Sequence, residues 1–100
     1  MARNYVVAAE ELESRPQVRF GDKVYAVDNR LRTFEAIGAE LKEGGDALRA
    51  VLSNALGAGA YEEIAAANPP YPALSRLATL VMAAMQDISE EDAVARFQGR

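Results

Sequence analysis

The stretch from Pro72 to Ile88 constrains this chain most, because its apolar residues wrap more than half of a helix's circumference. At about 100° per residue, Leu74, Leu77, Ala78, Val81, Ala84, Met85 and Ile88 form one stripe. Leu80 and Met82 widen it from opposite sides, to an arc of roughly 200° at the same rotation. Ser75, Arg76, Thr79, Gln86 and Asp87, with Ala83 among them, are left to face water. A surface helix needs an apolar arc only a little above ~100° to face its own core. The helix is therefore either the central element of its domain or partly covered by another chain.

A chain of 100 residues, half of them apolar, is enough for one domain with a small core of its own. No run approaches the ~20 apolar residues that cross a bilayer. The N-terminus passes from Met-Ala-Arg-Asn to Glu10 and Glu11 within one short apolar patch, which makes a poor signal peptide. Cysteine is absent, so disulfides and thiolate chemistry are excluded, and a reducing cytoplasm is the expected compartment. The net charge of −4 argues against a large phosphate-binding surface. Arg19, Arg30, Arg32, Arg49, Arg76 and Arg96 are scattered among acids, as on a solvated surface of mixed sign.

Residues 1–15 read as a mobile or loosely docked arm, and residues 16–100 as a single domain. Within the arm, Tyr5-Val6-Val7-Ala8 suits a short strand and Ala9 to Glu13 a helical turn, which Pro16 prevents from continuing. From Pro16 to Val27 the pattern is that of a β-hairpin with Gly21-Asp22 as its two-residue turn. This sets Phe20 opposite Lys23, Val18 opposite Tyr25 and Pro16 opposite Val27 on a largely apolar face. Gln17, Arg19, Val24 and Ala26 share the other face. Two strands with one apolar face do not stand alone in water, so the helices that follow are expected to cover them.

Asp28 or Asn29 is expected to cap a helix running to about Glu43, with Leu31, Phe34, Ile37 and Leu41 as its buried stripe. Gly44-Gly45 ends it, and Asp46 caps a second helix carrying Leu48, Val51, Leu52, Ala55 and Leu56, closed by Gly57. A short helix follows, with Tyr61, Ile64 and Ala65 facing inward, and Asn68-Pro69-Pro70 stops it. Pro72 suits the first turn of the wide apolar helix. Ser89 then caps a last helix by accepting from the Asp92 amide, with Ala93, Val94 and Phe97 inward and an end near Gly99. The predicted fold is α+β and mostly helical, an N-terminal hairpin followed by a bundle of about five helices.

The residues offer little chemistry. Histidine is absent, which removes the usual acid–base group near neutrality and leaves a zinc site only oxygen ligands. Glu10/Glu11, Glu62/Glu63 and Glu90/Glu91 are adjacent pairs that diverge by about 100° on a helix and form no clamp. Ser14, Ser53, Ser75 and Ser89 have no partner base, and Gly57-Ala-Gly59 lacks the third glycine and the lysine of phosphate-binding loops. No cofactor, metal or catalytic residue is expected. A helix-turn-helix-like segment at Asp46–Ile64 keeps a small DNA-binding regulator as the alternative, although Glu62 and Glu63 on its second helix would repel a phosphate backbone.

The hairpin Val18-Arg-Phe-Gly-Asp-Lys-Val-Tyr-Ala-Val27 leads into a helix with Phe34 and Leu41. Ala50-Val-Leu-Ser-Asn-Ala-Leu-Gly57, a short acidic helix at Tyr61–Ala67 and a long apolar helix follow. From Val18 to Gln86 this order resembles the tail assembly chaperones of long-tailed bacteriophages and prophages. The resemblance implies a small, mostly helical, non-enzymatic protein of the host bacterial cytoplasm. Its implied partners are the tail tape measure protein, which such chaperones coat and keep soluble, and the tail tube protein. Homo-oligomers are also implied, and no nucleic-acid or membrane partner. On the wide helix, Leu80, Met82 and Met85 are the expected contributors to a partner or self-association surface, because methionine adapts to more than one packing.

Overall fold

The computed structural model describes the backbone of residues 5–98 and the side chains of residues 5–95. Its hairpin is built as the alternation predicts. Strands β1 (Gln17–Phe20) and β2 (Lys23–Ala26) are antiparallel, with Val18 opposite Tyr25 and Phe20 opposite Lys23. The Val27 amide donates to the Pro16 carbonyl at 2.9 Å and continues the ladder by one pair. Gly21 takes φ +67° at the first central position of the turn, where a side chain would be strained and glycine is not. Val18 and Val27 are buried, Phe20 and Tyr25 half-buried, and Gln17, Arg19, Val24 and Ala26 face solvent.

Among the described residues five helices follow: α2 (Leu31–Lys42), α3 (Ala47–Leu56), α4 (Ala58–Ala66), α5 (Tyr71–Gln86) and α6 (Glu90–Gln98). A single helical turn, α1 (Ala9–Leu12), precedes the hairpin. The protein is thus a mostly helical α+β fold with an N-terminal two-stranded hairpin. No helix among the described residues is long and apolar enough to cross a membrane. The core joins Val18 and Val27 of the hairpin to Ile37 of α2, Ala50, Val51, Leu52 and Ala55 of α3, Ile64 of α4, and Leu77, Ala78, Val81 and Met85 of α5.

Local chemistry explains where the helices stop. α2 closes in a Schellman motif, in which Gly44 at φ +85° donates to the Leu41 carbonyl and Gly45 to that of Glu40. Asp46 caps α3 through a 3.1 Å bond from the Leu48 amide, and Ser89 caps α6 by accepting from Asp92 at 3.1 Å. Gly57, at φ +99° and ψ 149°, is both the last cap of α3 and the first of α4, so the two helices meet at one residue. α5 also closes in a Schellman motif: Ile88 donates to Ala83 and Asp87 to Ala84, with aspartate in the left-handed conformation usually left to glycine.

Several expectations are corrected. The residue at the N-cap of α2 is Arg30, while Asp28, two residues earlier, accepts from the Arg30 amide at 3.0 Å. The buried side of α2 is centred on Thr33 and Ile37, with Leu31 and Leu41 left 68% and 44% exposed. Glu40, on the same side of the helix, accepts from the Asn54 amide of α3 at 2.9 Å. Ala65 faces solvent, since Tyr61 and Ile64 alone turn α4 toward the core. Tyr5–Ala8 pairs with no strand among the described residues. The expected inward side chain Phe97 and the end at Gly99 lie outside the described residues.

α5 is the central element, the first of the two alternatives its width allows. It packs on α3, β1 and α6. The αL turn at Asp87 folds α6 back, and Arg76 then grips Glu90 through two bonds of 2.8 and 3.1 Å. This return, with β1 beside it, covers the side of α5 opposite α3, so Ala83 is buried instead of facing water and Thr79 and Gln86 are half-buried.

Candidate protein-binding surface

The three residues proposed from sequence as a binding strip are not brought together. Met85 is only 5% exposed and belongs to the core, on the Leu77–Val81 side of α5 that faces α3. Leu80 and Met82 are both half-buried, yet two helical steps place them about 160° apart. Both pack against the core cluster from their own flanks. Leu80 also lines a groove.

That groove, of about 430 Å³, lies between β1 and α5. Val18, Leu80, Ala83, Ala84 and Ile88 give it an apolar lining, and Gln17, Arg19 and Glu90 stand around it. Its geometry follows from the hairpin register. Val18 and Phe20 spend their backbone groups on β2, so the alternate residues Gln17 and Arg19 direct theirs to the outer edge of β1. No backbone partner meets them there among the described residues. An open strand edge therefore runs beside a half-buried apolar helix face. Sequence reading located Leu80 but missed the β1 edge, Ala84 and Ile88, because only the packing of the hairpin on α5 juxtaposes them.

Compared with family models, curated proteins and solved structures, the chain matches none.

Two polar sites elsewhere are committed to holding the fold. At the open end of the hairpin, a cleft of about 450 Å³ includes Arg15, Asn29, Arg30 and Asn54. The Arg30 guanidinium donates to the carbonyls of Leu12 at 2.7 Å and Ser14 at 3.3 Å, which ties down the root of the arm. Asn54 spends its amide on Glu40 and on the Ala50 carbonyl. Beside the hairpin turn, one oxygen of Glu63 accepts from Lys23 at 2.7 Å and from the Tyr25 hydroxyl at 2.9 Å, joining β2 to α4.

The Lys23–Tyr25–Glu63 cluster has a defined pH response. The hydrogen bond from Lys23, then that from Tyr25, holds the Glu63 carboxyl below the ordinary glutamate value. The same bond raises Lys23, and burial followed by the bond to Glu63 raises Tyr25. Because the folded Glu63 value is lowered, its contribution is complete above the unfolded glutamate value and is lost as pH falls through the lowered one. The Lys23 contribution is complete below the unfolded lysine value and is lost as pH rises through the raised one. A carboxyl-detected NMR titration is expected to place Glu63 below an ordinary glutamate, and Lys23→Met is expected to move it upward. An unmoved midpoint would mean that the tie is absent in solution.

Proposed function

We propose that the chain is a non-enzymatic protein-binding module, a tail assembly chaperone that holds apolar stretches of a tape measure protein and presents them for tube assembly in the host cytoplasm. The groove between β1 and α5 carries this reading. It pairs an unpartnered strand edge with Leu80, Ala84 and Ile88, which offers both main-chain bonds and apolar contact to an incoming segment. The order of hairpin, three helices and long apolar helix that underlies the resemblance supports the same role. Apolar residues outside the groove, among them Val24, Leu31, Leu41 and Tyr71, add surface for the many weak contacts that a long partner would need. Around them the surface is acidic in balance, with Glu62 and Glu63 exposed on α4, which suits a protein partner better than a phosphate backbone.

The test is co-expression with a long, helical, aggregation-prone tape measure protein. The wild-type chain is expected to keep it in the soluble fraction, and Leu80→Glu to lose most of that effect while its own circular dichroism is unchanged. Ile88→Glu serves as the second variant if Leu80→Glu unfolds. Full solubilisation by a folded groove variant overturns the proposal.

A further inference from the structure

The groove has a matching segment within the same sequence. Tyr5-Val6-Val7 is apolar and rich in strand-favouring residues, and Tyr5 and Val6 are 88% and 78% exposed. With Ala8, whose backbone is extended at φ −70° and ψ 154°, these four residues span about 13 Å at ~3.3 Å per residue. β1 is also four residues long. Glu10, Glu11 and Glu13 follow the apolar segment, and Arg19, which has no ion-pair partner among the described residues, stands at the groove.

We infer that the groove of one copy receives residues 5–8 of a second copy as a third strand on the open edge of β1. This deepens the protein-binding reading of the same groove and rests on it: the second copy's arm fills the groove until a tape measure segment takes its place. The added strand exchanges main-chain bonds with Gln17 and Arg19. Tyr5 and Val7, which share one face of a strand, settle against Leu80, Ala84 and Ile88. The acidic residues after the strand complement the charge of Arg19. A chain's own groove is not the destination here: Arg30 holds the root of the arm at Leu12 and Ser14, and the side chains of Tyr5, Val6 and Val7 all stand in solvent. Two copies placed reciprocally satisfy both edges at once and close the assembly as a dimer.

Because the chain lacks cysteine, the contact can be trapped directly. Two single variants, Val7→Cys and Ala84→Cys, are mixed and oxidised, and the linked peptides are identified by mass spectrometry. A link between residue 7 of one chain and residue 84 of the other is expected, at least about tenfold faster than with Ala39→Cys, on the exposed side of α2, in place of Ala84→Cys. Arg19→Pro, which removes one outward N–H and is tolerated on an edge strand, is expected to abolish the excess. A rate equal to the control overturns the inference. So does a chain carrying both cysteines that links only within itself, at the mass of a monomer. Normal solubilisation of a tape measure protein without the 7–84 link defeats the strand exchange alone, whereas the link without solubilisation defeats the chaperone reading alone.

Discussion

Replacing Leu52 with alanine is expected to cost about 3 kcal/mol, the middle of the range for a large buried side chain cut back to a methyl group. Leu52 is 0% exposed, and it sits at the middle of α3 among Ala50, Val51 and Ala55, which are themselves buried. α3 packs on α2, α4 and α5, so the void left behind is bounded by several elements and does not collapse onto one flexible neighbour. For a domain of this size that loss lowers the melting temperature by roughly 15 °C. Thermal unfolding followed by circular dichroism measures it. A change below about 1 kcal/mol, the level of a mild core swap, would show that the centre of α3 is not sealed as described.

Gly57→Ala is expected to cost about 2 kcal/mol for a reason unrelated to space, because no atom lies within 4 Å of where the new methyl carbon would sit. The cost is backbone strain: φ +99° with ψ 149° borders a region that residues with a side chain essentially avoid. Relief is expensive at this corner, since the Gly57 carbonyl accepts from the Tyr61 amide at 3.0 Å to begin α4. Gly59 is the internal control. It lies inside α4 with no positive φ and no close neighbour, so Gly59→Ala is expected to stabilise by about 0.5 kcal/mol. Opposite signs two residues apart, read from denaturant melts, identify the dihedral angle as the cause. Equal effects would refute that account.

The hairpin was readable because Gly21-Asp22 sets the phase and an alternation of two then assigns every side chain from Pro16 to Val27. The caps Asp46 and Ser89 were readable for a similar reason, as each depends on a single side chain reaching a nearby amide. The inward side of α2 was not. Leu31 and Leu41 outweigh Thr33 in hydrophobicity, but Thr33 is buried and both leucines are exposed, and the side that meets α3 also carries the Glu40–Asn54 bond, whose residues no apolar pattern marks. Nor could spacing tell whether α5 was central or bare on one side. Asp87 decides that by turning left-handed and sending α6 back, and an aspartate there carries none of the signal a glycine would. The three residues expected at a binding surface are divided by the fold. Leu80, Met82 and Met85 are neighbours in sequence, and the fold assigns them to a groove, a flank and the interior.

The hairpin is fastened differently along its two strands. β2 is linked to α4 through Lys23, Tyr25 and Glu63, with the lysine and the carboxylate open to solvent, whereas β1 rests on α5 over apolar side chains. Ions weaken the first fastening and cooling weakens the second. Brine and chill therefore loosen this ribbon from opposite margins.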